Sequence, residues 1–190
     1  MMKMYNIVVV FFLFLISCES TTENIIESEN HITASYRYDE IEKYAKSLDS
    51  SLRLKSVSSN NLNYDGTSSS WSYKYSKVLD SAFTSQYYYF SSFYGSIALD
   101  SVVNRETTIG DAFISKSWLN SNDAMRIAEK NGGKQFRTSN SNYYITASLG
   151  EAVVPNSNPF WYIKYTLYGD KNNYVVFNIN AVTGSVGKYP

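Results

Sequence analysis

Residues 161–168 read Trp161-Tyr-Ile-Lys-Tyr-Thr-Leu-Tyr168, with large apolar or aromatic side chains at every second position. This alternation is typical of a strand that buries one face. A polar turn over 169–173 leads into a second alternating run over 174–181, and a third such run, 143–149, comes before. Consecutive strands joined by short polar turns predict an antiparallel meander.

A helix is expected before this meander. Ser121 or Asn122 can cap its first turn, and Ala124, Ile127 and Ala128 share one helical face. The pair Gly132-Gly133 predicts its end, because glycine readily takes the left-handed conformation that closes helices.

The first half of the chain has the same order of patterns. Residues 38–52 have the apolar spacing of a helix, and strands are expected at 71–75, 87–90 and 95–103. Trp71-Ser-Tyr-Lys-Tyr75 is similar to the first five residues of 161–168, which suggests an internal duplication. We therefore predict an α+β fold in which helices pack on antiparallel β-sheet, as two tandem units.

The N-terminus resembles that of a bacterial lipoprotein. Lys3 precedes an unbroken apolar run over 7–16, which has the length of a signal-peptide core and is too short to span a bilayer. Leu15-Ile-Ser-Cys18 then resembles a lipobox, which implies cleavage before Cys18 and acylation of its thiol. The alternative is a buried cysteine after a transmembrane anchor. The predicted organisation is a signal peptide (1–17), a flexible tether (18–35), a first helix-plus-sheet unit (36–117) and a second one (118–190).

Composition excludes several classes of function. Seventeen basic and seventeen acidic residues leave no net charge that would attract nucleic acid. One His and one Cys in the whole chain leave too few ligands and bases for His/Cys metal sites or for triad catalysis. We predict a protein that is not an enzyme and that needs no cofactor.

The stretch from Trp118 to Val186 resembles a PepSY-like domain. The residues that carry the resemblance are Trp118 to Ala124, Ile127 to Gly133, Pro159 to Ile163 and Phe177 to Val186. The resemblance implies a helix packed on an antiparallel sheet and a non-enzymatic envelope module, with peptidase propeptide or inhibitor roles in some relatives. Together with the lipobox, the richness in Tyr, Ser and Asn is similar to secreted lipoproteins of the Bacteroidetes.

Aromatic residues are the candidate binding surface, since a sheet needs only one covered face. The candidates are Tyr87, Tyr88, Tyr89 and Phe90, with Tyr162 and Tyr168 extending the surface. The alternative is a strand buried between two layers. Trp71 and Trp161 are instead expected in the core.

Two serines match a short glycosylation pattern. Ser81 and Ser101 each follow an Asp and precede an aliphatic residue, which resembles the pattern for O-glycans on exported Bacteroidetes proteins.

The predicted function is non-catalytic binding by a lipid-anchored envelope protein, placed at the outer membrane on its periplasmic or surface side. The partner would be an envelope protein, such as a peptidase that it inhibits or regulates. The alternative is a carbohydrate-binding accessory lipoprotein of a glycan-uptake system, and a third possibility is a structural module with no small ligand.

Overall fold

The computed structural model describes residues 30–79, 84–106, 113–114, 117–151 and 158–189. Its helices are α1 (Tyr38–Leu48), α2 (Ser121–Ala128) and α3 (Lys134–Ser139), and a π-helical turn over Glu129–Gly133 joins the last two. Its strands are β1 (Arg53–Ser59), β2 (Ser70–Val78), β3 (Thr84–Phe93), β4 (Ile97–Glu106), β5 (Tyr143–Glu151), β6 (Pro159–Leu167), β7 (Asp170–Asn180) and β8 (Val186–Tyr189).

All these strands form one antiparallel sheet in the order β4-β3-β2-β1-β5-β6-β7-β8. The two halves of the chain meet where β1 pairs with β5, with Val57 opposite Leu149. The predicted α+β fold of two tandem PepSY-like units is therefore wrong. The protein is mainly β, because about half of its described residues lie in strands and its helices are short. Its sheet continues across the expected boundary between the two units.

The strand that joins the halves, β1, was missed because its buried positions do not alternate. Leu54 lies opposite Tyr75 and Val57 lies opposite Tyr73, with a register shift between Leu54 and Ser56. A bulge inserts one extra residue and so breaks the period of two. Without β1, the sequence patterns predict two separate sheets.

The helices cover one face of the sheet and build the core there. Tyr38 of α1 stacks on Tyr73, Tyr44 of α1 meets Phe90 edge-on, and Phe136 of α3 packs against Tyr165. The fully buried helix residues in this core are Ile41, Ala45, Ala124, Met125 and Ala128.

Trp71 and Trp161 lie in the core, as predicted. Both are 0 % exposed, and their rings meet edge-to-face with centroids 5.9 Å apart. Each indole N–H donates to a backbone carbonyl, Trp71 to Ile32 at 2.8 Å and Trp161 to Leu119 at 2.7 Å. The contact packs the two halves against each other across β1 and β5.

The predicted tether over 18–35 extends too far into the chain. Ile32 and Ala34 are 0 % exposed, and Ile32 pairs with Ser68 as an isolated bridge. The Ala34 N–H donates to the Ser121 hydroxyl at 2.9 Å, and that hydroxyl donates to the Gly66 carbonyl at 2.7 Å. Ser121 therefore ties this segment to α2, while Asn120 caps the helix.

The helical path that begins at Ser121 is interrupted at Gly132, as predicted, but a further helix follows directly. Gly132 has a φ of 125°, which bends the helical path, and the chain then continues into α3. Gly133 allows close packing: a Cβ there would lie 2.4 Å from the Tyr165 hydroxyl oxygen.

Candidate binding face

The strand residues that point away from the helices form what we call the open face. Among the described residues, the helices pack against the opposite face. Because side chains alternate along a strand, the registers decide which residues lie on the open face. This face consists of a row of small residues between two rims of Tyr and Lys.

Four serines lie side by side on four neighbouring strands. Ser91 of β3 pairs with Ser72 of β2, Ser72 with Ser58 of β1, and Ser58 with Ser148 of β5. We call these four residues the serine row. In the next row, Ser56 pairs with Gly150. Short side chains therefore occupy consecutive positions across the middle of the sheet.

The first rim consists of Lys55, Lys74, Tyr87 and Tyr89, on β1 to β3. The Lys74 ammonium lies 4.3 Å from the centroid of the Tyr87 ring, and the Lys55 ammonium 5.7 Å from it. The two cations lie over Tyr87, which is only 5 % exposed. The ring face stabilises them by cation–π attraction. A partner at this rim therefore meets ammonium groups before it meets the Tyr87 ring.

The second rim consists of Tyr144, Tyr162, Lys164, Tyr168 and Tyr174, on β5 to β7 and the turn after β6. The Lys164 ammonium lies 4.0 Å from the centroid of Tyr174. Tyr144 and Tyr168 have ring centroids 5.0 Å apart with planes at 47°. Tyr162 and Tyr168 are 44 % and 57 % exposed, so this rim presents phenol groups as well as a cation.

In the described strands, basic side chains outnumber acidic ones on the open face. Asp100 supplies a carboxylate beside the bulge of β4, where it accepts a hydrogen bond from Ser91. The basic side chains are Arg53, Lys55, Lys74, Arg105 and Lys164.

The structure places only two of the four aromatic residues at 87–90 on the open face. Tyr87 and Tyr89 lie on the open face, whereas Tyr88 and Phe90 point to the core. Phe90 is 0 % exposed and meets Tyr44 and Tyr75 edge-on. Phe90 is therefore part of the packing that holds α1, and Tyr88 packs partly buried against the same core.

Sequence reasoning missed the lysines and the serine row. The signal for Lys74 and Lys164 was present, since each lies between two large core residues of an alternating strand. The serine row had no such signal, because its four members are distant in sequence and come together only through the strand registers.

The predicted modification sites remain predictions. Cys18 and Ser81 lie outside the described residues. Ser101 is exposed on the edge strand β4, opposite Tyr89, so the backbone presents its hydroxyl at one border of the open face.

A separate concavity lies beside α1. It has a volume of about 400 Å³, and the Tyr38 hydroxyl at its wall donates to the Glu42 carboxylate. Burial and the Glu42 charge raise the pKa of Tyr38 above its usual range, and burial raises the pKa of Tyr73 to about 12. These phenols stay protonated near neutral pH, so neither supplies a general base.

The fold and this face define a mainly β protein with one helix-covered and one open sheet face. Comparisons with protein-family models, curated proteins and solved structures found no match for this chain. In the described part of the chain, His, Cys, Asp and Glu form no group of three or more that could hold a metal ion. None of the described helices is long and apolar enough to cross a membrane.

Proposed function

We propose that this protein is a non-catalytic, lipid-anchored envelope module that binds a partner protein through its open face. The observation that carries the proposal is the exposed Tyr162 and Tyr168 on the sheet face opposite the described helices. Tyr is frequent in protein interfaces because it joins a large apolar surface to a hydroxyl that tolerates water.

The dimensions of the open face suit a protein partner. The seven strands other than β8 are spaced about 4.8 Å apart and rise about 3.3 Å per residue. With nine residues or so in each strand, the whole sheet measures roughly 29 Å by 28 Å, and the accessible part of this face is smaller because Ser76, Ser85 and Tyr87 are buried. A specific protein complex buries about 800 Å² on each partner.

The alternative, a glycan-binding protein, has less support from the geometry. Sugars stack on open aromatic ring faces, but lysines lie over the rings of Tyr87 and Tyr174. Tyr144 and Tyr168 are tilted against each other and form no flat platform. The open face therefore favours a protein over a polysaccharide.

The anchor and the location are part of the same proposal. Acylation of Cys18 with more than one chain would hold the protein on a membrane surface without a transmembrane helix. The resemblance to PepSY-like domains, the outer-membrane location and the regulation of a peptidase stay predictions.

Site-specific photocrosslinking in the native envelope tests the proposed function. A photoreactive amino acid replaces Tyr162 or Tyr168 on the open face, and Lys43 on the exposed side of α1 provides the control position. We expect the same protein to be captured from both open-face positions and not from position 43.

Three results would contradict the proposal. Capture from position 43 alone would place the interface on the helix side. Polysaccharide recovered from positions 162 and 168 would establish the glycan alternative. Absence of any adduct from the open-face positions, in a chain that is correctly acylated and folded, would rule out a partner at this face.

A further inference from the structure

The concavity beside α1 has the size and the lining of a small-molecule site. Its volume of about 400 Å³ falls within the range of about 300–1,000 Å³ that ligand pockets usually have. Part of its wall is apolar and consists of Leu52, Leu54 and Ile114, which are 0 %, 4 % and 7 % exposed. The Ile114 N–H donates to the Leu54 carbonyl at 2.9 Å, so this part of the wall is fixed to β1.

A buried hydroxyl at this concavity lacks a hydrogen-bond partner. Tyr75 of β2 lines the concavity and is 1 % exposed, and in the described part of the chain no group forms a hydrogen bond with its hydroxyl. The neighbouring Tyr38 hydroxyl donates to Glu42 instead. Burial, together with the nearby Tyr38 hydroxyl and Glu42 carboxylate, raises the pKa of Tyr75 above its usual range, so its hydroxyl remains a donor. Buried hydroxyls without an acceptor are rare in folded proteins because they destabilise them.

The charged side chains that line the concavity already have partners within the protein. The Lys46 ammonium donates to the Ser50 carbonyl at 3.2 Å, and the Glu42 carboxylate accepts the proton of Tyr38. The Arg53 guanidinium lies 5.8 Å from the centroid of an aromatic ring. Charges of both signs are therefore matched, and the concavity selects neither an anion nor a cation.

We propose that the concavity beside α1 binds a small neutral molecule with an apolar body and one oxygen atom that accepts a hydrogen bond from Tyr75. An aromatic ketone has these features. Since an apolar cavity of about 150 Å³ holds one benzene ring, a molecule of two rings fits this volume. The site lies between α1 and the core side of β1 and β2, so the inference is independent of the proposed function.

Binding of two matched naphthalene derivatives to the full acylated chain in detergent micelles tests the inference. One probe, 2-acetylnaphthalene, carries the oxygen, and 2-isopropenylnaphthalene has nearly the same shape without it. NMR signals of the labelled methyl groups of Leu52, Leu54 and Ile114 report binding at the concavity. We expect 2-acetylnaphthalene to shift these signals until they saturate.

Two variants separate the hydrogen bond from the shape of the site. Tyr75→Phe should weaken binding of 2-acetylnaphthalene roughly tenfold, as expected for the loss of one buried hydrogen bond, and should change binding of 2-isopropenylnaphthalene less than about twofold. The matched control is Tyr73→Phe, because Tyr73 is also buried but its hydroxyl donates to the Ala34 carbonyl at 2.6 Å. This control should leave both affinities nearly unchanged. Each probe enters the micelles equally for all variants, so this loss cancels when variants are compared.

Urea unfolding tests the state of the Tyr75 hydroxyl without any probe. Tyr73→Phe should lower the urea midpoint, because the Ala34 carbonyl loses its donor. Tyr75→Phe should keep or raise the midpoint, since it removes a hydroxyl that has no partner. A fall in Tyr75→Phe as large as in Tyr73→Phe would show that Tyr75 has a partner within the protein, which would overturn the inference.

Three results with the probes would also overturn it. The first is the absence of methyl shifts at the highest soluble concentration of 2-acetylnaphthalene. The second is equal affinity of the wild type and the folded Tyr75→Phe variant for this probe. The third is tighter binding of 2-naphthoate or 2-naphthylmethylammonium, with the partition of each probe measured in micelles without protein, because the concavity would then select a charge.

Discussion

Glu129 connects a helical turn, a second helix and the sheet through one carboxylate. It accepts a hydrogen bond from the Tyr165 hydroxyl at 2.9 Å and pairs with Arg137 at 2.8 Å. Burial and the Glu129 charge raise the pKa of Tyr165 above its usual range. The three side chains are therefore held as a neutral phenol beside an ion pair that is largely shielded from water.

Replacing Glu129 by Ala should destabilise the fold by roughly 2–4 kcal/mol, because it leaves a shielded guanidinium and a buried hydroxyl without their acceptor. Arg126→Ala is the matched control. Arg126 pairs with Asp123, but its side chain is 74 % exposed, and such surface pairs contribute about 0–1 kcal/mol. Urea unfolding measures both variants. Equal losses would mean that the Glu129 pair contributes no more than a surface pair.

Asp49 makes the stability depend on pH. Its carboxylate pairs with Lys77 at 2.6 Å and accepts two hydrogen bonds from Ser51, which lower its pKa below the usual range. A lowered pKa in the folded state stabilises the protein above the unfolded value of about 3.9, and this stabilisation is lost as pH falls through the folded value.

The Asp49→Asn variant should therefore lose stability at pH 6 and show a smaller fall in melting temperature between pH 6 and pH 3 than the wild type. Thermal unfolding at several pH values measures this difference. Parallel curves for the two proteins would show that Asp49 is not responsible for the acid sensitivity.

The bend between α2 and α3 lies at Gly132, and the next residue, Gly133, is glycine for a different reason. At Gly133 the φ angle is −60°, so the backbone would accept any residue. Space is the constraint, since a Cβ would lie 2.4 Å from the Tyr165 hydroxyl oxygen. Packing against the sheet, rather than the backbone, selects glycine here.

Gly133→Ala should destabilise the protein by about 1–3 kcal/mol through overpacking. Gly150→Ala is the control, because a Cβ at Gly150 in β5 would meet no atom within 4 Å, and alanine there should be neutral or slightly stabilising. Chemical unfolding of the two variants gives the comparison. A neutral Gly133→Ala would mean that Tyr165 moves aside at little cost.

Strands with alternating core residues could be predicted from sequence, and a strand whose core residues do not alternate could not. β6 and β7 place Ile163 and Phe177 in the core with apolar residues two positions away on each side, and both strands were expected. β1 was not predicted, because its bulge places Leu54 and Val57 three positions apart on one face. The single sheet was missed with it, because β1 supplies the pairing to β5.

The residues of the candidate face could be predicted only in part, because sequence patterns describe single strands and not the pairing between them. Single alternating strands indicate exposed side chains such as Tyr162, and the structure places Tyr162 on the open face. Which residues of different strands lie side by side depends on long-range pairing, which local patterns do not encode. The serine row and the position of the Lys74 ammonium over Tyr87 follow from that pairing.

One continuous sheet predicts that both halves of the molecule unfold together. β1 and β5 hydrogen-bond across the middle, and Trp71 contacts Trp161 from the other half, so opening either half exposes core of both. Two independent units would instead lose their structure separately. Small domains with one contiguous core usually unfold in a single cooperative transition.

Trp71→Phe tests this coupling. The substitution removes the hydrogen bond to the Ile32 carbonyl and part of the contact with Trp161, which should cost about 2–3 kcal/mol. Native-state hydrogen exchange should then show lower protection of core amides in β2 and, by a similar free energy, in β6 of the other half. Unchanged protection in β6 would show that the halves open independently. The shared sheet would then be a surface of contact between two folding units rather than one cooperative structure.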